Sequence, residues 1–127
     1  MVLSGSKCVA SYEPATGNSI WIIDGPTEQF VASLVYSRQA DLLFLTAGFP
    51  EYHNLAIDPH GRGNVTKTHI RWRTTKGAVY VPSPIAAGEY FLIVSEGGVA
   101  HCFEAATGKI LWQERLGIHH ASLVSAG

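Results

Sequence analysis

Apolar residues along this chain come in short runs, and glycine-bearing turns separate the runs. Closely spaced β-rich runs of this kind predict an all-β protein. No segment keeps a 3.6-residue apolar period long enough to predict a helix. Four kinds of run recur in a fixed order, here called A to D. Type A covers 31–35, 81–85 and 120–124, aligned on Ser33, Ser83 and Ser122. Type B covers 42–46 and 90–95 and is continuously apolar, as a strand buried on both faces should be. Type C covers 8–12, 53–57 and 99–103. Type D covers 19–23, 69–73 and 109–113. Its alternation of His69, Arg71 and Arg73 with Ile70 and Trp72 predicts an outer strand with one wet face.

Each C run ends in a turn that leads to a tryptophan. Tyr12-Glu13-Pro14-Ala15-Thr16-Gly17 precedes Trp21. Ile57-Asp58-Pro59-His60-Gly61 leads through Gly63 to Trp72. Phe103-Glu104-Ala105-Ala106-Thr107-Gly108 precedes Trp112. The tryptophans are 51 and 40 residues apart, close to the period of four-stranded propeller blades. Aligning Tyr12 with Phe103 places Ser4 on Ser95, Leu3 on Val94 and Val2 on Ile93, so the chain starts inside a B run. The order is then B-C-D, A-B-C-D, A-B-C-D, A. This predicts one propeller segment over 1–127 holding three blades' worth of antiparallel strands. Repeat 1 spans about 1–25 plus 120–125, repeat 2 about 30–74 and repeat 3 about 80–115.

Residues 103–112 resemble the repeat of pyrroloquinoline-quinone-type β-propellers: an aliphatic residue, an acid, small residues, Thr-Gly-Lys, then Trp. Glu104 stands where the family usually has Asp. The first copy matches well, and the second carries about six extra residues between Asp58 and Trp72, which predicts a longer loop there. The resemblance implies that tryptophan packs between neighbouring blades and that the Thr-Gly turn joins strands C and D. Gly17, Trp21, Gly63, Trp72, Thr107, Gly108 and Trp112 are therefore expected to be structural. An indole suits that place, with a large apolar area and one N–H that needs a partner when buried. Family members without a cofactor act in protein assembly and recognition. Others are quinoprotein dehydrogenases, with adjacent paired cysteines and a calcium set of Glu, Asn and Asp. Here Cys8 and Cys102 are far apart and no such acidic set is visible, so no cofactor is expected. A quinoprotein-like enzyme remnant, or a fragment of a larger repeat protein of this class, is the alternative.

Known propellers have about four to eight blades. Three blades leave two apolar faces and unpaired strand edges. Either the chain belongs to a longer propeller, or copies join by pairing strand A of one with strand B of the next. A two-fold homodimer of this kind would hold about six blades.

Composition narrows the function classes. With 46% hydrophobic and 15% charged residues in 127, a well-buried core is available. Net charge is −1 and there is no basic run, which argues against nucleic-acid binding. No apolar stretch reaches the roughly 20 residues that span a bilayer. The first residues lack the basic start and apolar stretch of a signal peptide, which predicts a cytoplasmic protein, or an exported one if the chain is a fragment. Cys8 and Cys102 are expected to be free thiols, and Asn64-Val65-Thr66 is a glycosylation triplet only in a secreted chain.

Catalytic and metal patterns are thin. His119 and His120 are adjacent and point to opposite faces of a strand. His53, His60 and His101 lack zinc-ligand spacing, so no metal is expected. There is no Gly-x-Ser-x-Gly elbow. A ligand is expected at a channel mouth, near the loops that follow strands D and B. The candidates there are Asp24, Glu51, Arg73, Glu96, Arg115 and His119. Phe49-Pro50-Glu51-Tyr52 adds a loop whose aromatics suit a contact patch. The function expected is a non-catalytic scaffold that binds a protein or a small polar ligand at the channel mouth.

Overall fold

The computed structural model describes residues 1–25, 27–117 and 122–126. Among them are twelve strands and no helix. Blade 1 holds β1 (Val2–Gly5), β2 (Cys8–Tyr12) and β3 (Ser19–Asp24). Blade 2 holds β4 (Val35–Ser37), β5 (Leu42–Ala47), β6 (His53–Ile57) and β8 (Ile70–Thr74). The two-residue β7 (Gly63–Asn64) lies between the last two in sequence. Blade 3 holds β9 (Ile85–Ala87), β10 (Tyr90–Val94), β11 (Val99–Glu104) and β12 (Ile110–Arg115). The result is all-β: three four-stranded sheets stacked as part of a β-propeller, with no closed barrel.

Each sheet follows from its residue pattern. β5 is buried along its whole length, as its unbroken apolar run demands. β8 alternates half-buried Ile70, Trp72 and Thr74 with exposed Arg71 and Arg73. In all three blades the C–D pairing shifts register just before the turn, at Ser11/Tyr12, Ala56/Ile57 and Cys102/Phe103. A bulge there increases the local twist as each sheet reaches its outer strand.

Two apolar layers join the blades. Val9, Trp21 and Ile23 of blade 1 pack on Leu43, Leu45, Leu55 and Ile57 of blade 2. Leu42, Phe44 and Trp72 of blade 2 pack on Phe91, Ile93 and Phe103 of blade 3. The second layer is aromatic, with Phe44 and Phe91 stacked at 4.5 Å between ring centroids.

Four features differ from the sequence reading. The inner strands begin later, at Val35 and Ile85, so the A segments 31–34 and 81–84 are not strands. Their backbone groups turn sideways to the next blade: the Ser33 N–H donates to Ser83 Oγ at 2.8 Å. The described part of the last A run, 122–126, is not a strand either, while 120 and 121 lie outside the described residues.

The B run of blade 1 is also displaced by one residue. Leu3 pairs with Ala10 as Ile93 pairs with His101, so Leu3 matches Ile93 rather than Val94. The B–C turn of blade 1 is one residue shorter, and one residue of slip exchanges the two faces of a strand. Leu3 thus points away from blade 2 and is 51% exposed.

The fourth strand of blade 1 is not an antiparallel inner strand. It is β7, which pairs in parallel with the outer strand β3, Trp21 opposite Gly63 and Ile22 opposite Asn64. The extra residues of repeat 2 reach back across blade 1. Finally, β12 does not alternate: all of it beyond Ile110 is exposed, because no other strand among the described residues covers the outward face of blade 3.

Candidate interaction site

The repeated contact between blades is built from a turn and an indole. In blade 3 the Gly108 N–H donates to Glu104 O at 2.8 Å, and the Lys109 N–H donates to Thr107 Oγ1 at 3.2 Å. Blade 1 forms the same turn, with Gly17 N–H to Glu13 O at 2.8 Å and Asn18 N–H to Thr16 Oγ1 at 3.2 Å. Gly108 and Gly17 have φ of 77° and 75°, where glycine is free of the Cβ penalty. The Trp72 indole lies on the Gly108 turn and donates to Ala105 O at 2.7 Å. Trp21 donates to Pro59 O at 3.0 Å. Trp112 is 48% exposed.

Gly63 sits in β7 rather than in the C–D turn of blade 2. That turn is closed by His69 N–H to Val65 O at 3.0 Å. The Val65 N–H in turn bonds Ile22 O at 2.9 Å, and Asn64 Nδ2 donates to Asp24 Oδ2 at 2.8 Å.

A pair of substitutions separates turn strain from blade contact. A Cβ on Gly108 would stand 2.6 Å from the Trp72 ring, whereas a Cβ on Gly17 meets nothing within 4 Å. In the dissociated single chain, Gly17→Ala should therefore cost only the positive-φ strain, about 1 kcal/mol. Gly108→Ala should cost about 2 kcal/mol, because the ring must also move. Urea unfolding of both variants checks the difference.

The rim at the D–A and B–C loops holds most of the ligand candidates, and it does not gather them. Glu96 is engaged by the backbone: Oε1 accepts from Tyr80 N–H at 3.0 Å and Val81 N–H at 2.8 Å. Asp24 holds Asn64. Arg73 and Arg115 are exposed on the outer strands β8 and β12. Glu51 lines a cleft of about 390 Å³ with Lys7, Thr27, Glu28 and Pro50, and its Oε2 is 3.3 Å from His53 Nε2. His119 lies outside the described residues. The Phe49 carbonyl accepts from the N–H groups of Glu28 and Gln29, both at 3.0 Å, and from the Thr27 hydroxyl. Phe49 and Tyr52 are 47% and 48% exposed.

The opposite rim carries a polar cluster that sequence spacing did not indicate. The Tyr36 hydroxyl donates to Asp41 Oδ1 at 2.7 Å, and His60 Nε2 is 2.7 Å from Asp41 Oδ2. The Tyr36 hydroxyl and then His60 hold the Asp41 carboxyl below its usual value, and the same bond pushes the Tyr36 hydroxyl up. Arg71 donates to Asp58 Oδ2 at 2.5 Å. The only advance sign was Asp58-Pro59-His60, an Asp-led turn in which the His60 N–H donates to Asp58 Oδ1 at 2.9 Å.

Asp58 links this cluster to acid stability. The His60 backbone N–H, and then Arg71, hold its carboxyl below the ordinary 3.8. The ionised group thus stabilises the fold above that value, and the contribution is lost as pH falls through the lower folded value. Asp58→Asn should be less stable than the parent near neutral pH, and the gap should close as pH falls below 3.8. Denaturation curves at several pH values measure the gap.

Both cysteines are free thiols, and burial pushes the Cys102 thiol up, away from the reactive thiolate. Among the described residues no group of three or more His, Cys, Asp or Glu side chains could hold a metal ion. No helix among them is long and apolar enough to cross a membrane.

No protein-family profile matches the chain, and no curated protein does. Among solved structures it is similar to BamB from Moraxella catarrhalis, with a TM-score of 0.68 at 16% sequence identity. The match covers 90% of this chain and 32% of that one, so this chain spans about a third of the length of its neighbour. The likeness is one of fold, and it places the three stacked sheets in a partial β-propeller.

Proposed function

We propose that this chain is a non-catalytic interaction scaffold of the pyrroloquinoline-quinone-like propeller class, and that it works as a homodimer of about six blades. The observation that carries this reading is the exposure of apolar residues on both outward blade faces. Met1 and Leu3 are 57% and 51% exposed on one, and Tyr90 and Trp112 are 46% and 48% exposed on the other. Patches of this kind mark interaction surfaces. A protein or small polar ligand binds the rim around Glu51, beside exposed Phe49 and Tyr52. Asp24, Arg73, Glu96 and Arg115 form the wider polar surround, and His119 joins them by sequence position alone.

Sedimentation equilibrium tests the assembly. A mass twice the 13.7 kDa of one chain supports it, and a monomer at every concentration overturns it. For the rim, Glu51→Gln and Phe49→Ala should reduce binding of any ligand that raises the melting temperature of the parent.

A second reading has one observation in its favour, the coverage of about a third of BamB. In that reading the chain is part of a larger repeat protein, and further repeats fill the same two faces.

A further inference from the structure

Inside this chain one junction is made twice, and both its halves are left open at the ends of the stack. The giving half is a tryptophan on strand D. The receiving half is the carbonyl that follows the acidic residue closing strand C: Pro59 after Asp58 and Ala105 after Glu104. Blade 1 carries the same receiver, Pro14 after Glu13, in a turn with the same hydrogen bonds as the one under Trp72. Beside it, the space that the Trp72 ring fills against Gly108 is empty against Gly17. Blade 3 carries the giver, Trp112, with no carbonyl partner among the described residues.

A second series runs along the inner segments. The Ser33 N–H donates to Ser83 Oγ at 2.8 Å, and the Ser83 N–H donates to Ser122 Oγ at 2.9 Å. The inner strands start two residues after the first two serines, at Val35 and Ile85. By the same offset Ser122 is followed by 124–126, the place where the inner strand of a fourth blade would begin. Val124 there is 85% exposed. Val35 pairs with Phe44, and Ile85 with Leu92. The residue of β1 at that level is Val2, and the inner edge of β1 is unpaired among the described residues.

We infer that a second copy of this chain docks head to tail. Trp112 of one copy donates to the Pro14 carbonyl of the other and lies on its Gly17, while 124–126 adds to β1 with Val124 opposite Val2. This rests on the homodimer reading above and fixes its geometry. The serine series then continues from the Ser122 N–H of one copy to the Ser33 hydroxyl of the other. Two such junctions, related by a two-fold axis, close the ring.

The test uses two variants of the whole chain. Trp112→Ala removes the giver, and its side chain is already half exposed in the single chain. Gly17→Asn blocks the receiver with a residue that tolerates positive φ. Circular dichroism confirms that each stays folded. Each alone should weaken self-association by at least about 30-fold, as expected for a buried aromatic anchor. An equimolar mixture should recover a dimer, because one of its two junctions keeps both intact halves. A contact using the same patch on both copies would give no recovery. A parent dimer that ignores both substitutions overturns the docking mode and leaves the homodimer reading standing. A monomeric parent overturns both. A parent that grows into open chains overturns the closed pair.

Discussion

Trp21→Ala should lower the unfolding free energy by about 3–5 kcal/mol, the range for emptying a buried large aromatic site. The indole is 1% exposed and its N–H holds the Pro59 carbonyl at 3.0 Å. Its loss opens a cavity between blades 1 and 2 and removes the hydrogen bond that binds the long loop of blade 2. Neither side can collapse easily, since Val9 and Leu55 on the two facing sheets are themselves fully buried. Guanidinium unfolding followed by circular dichroism measures the loss. A cost under 1 kcal/mol would mean that the indole does not hold the blades together.

Thr46→Val should cost about 2–4 kcal/mol despite its matching shape, because two buried groups would lose their partners at once. Thr46 Oγ1 donates to the Val79 carbonyl at 3.0 Å and accepts from the Val79 N–H at 2.9 Å. Both residues are fully buried, so water cannot replace either bond. The hydroxyl thus does for the linker into blade 3 what a strand partner does inside a sheet. Thr46→Ser keeps the hydroxyl and should recover most of the loss. Equilibrium urea curves on the two variants separate the polar contribution from the methyl group.

The all-β stack could be read from the sequence because each blade repeats one residue pattern. Trp21 and Trp72 announced the blade contacts, and the extra residues before Trp72 announced a longer loop. The inner strands were placed early for a physical reason. Val31, Ala32 and Val81 look like strand residues, but their segments bond sideways through serine hydroxyls instead of entering a ladder. The misplacement of Leu3 came from a turn one residue shorter than its counterpart, which alignment on strand C alone cannot register. Strand β7 was hidden because Gly63 and Asn64 carry no strand pattern and gain one only from the exposed edge of β3. The cluster of Tyr36, Asp41, His60 and Arg71 joins side chains from three separate segments, so no spacing along the chain brings it into view.

The strap formed by β7 makes the two internal boundaries unequal. Between blades 1 and 2 it adds backbone pairing and the Asn64–Asp24 bond to the indole contact. The boundary between blades 2 and 3 has its own indole bond, the Ser33–Ser83 and Ser37–Gly88 bonds and the aromatic layer, but among the described residues no backbone-to-backbone pairing. In a linear array, stability is nearly a sum over neighbouring boundaries, so fraying starts at the weaker one. Blades 1 and 2 therefore form one cooperative unit, from which blade 3 can detach first. Amide protons of β9 to β12 should then exchange with solvent sooner than those of β2 and β6.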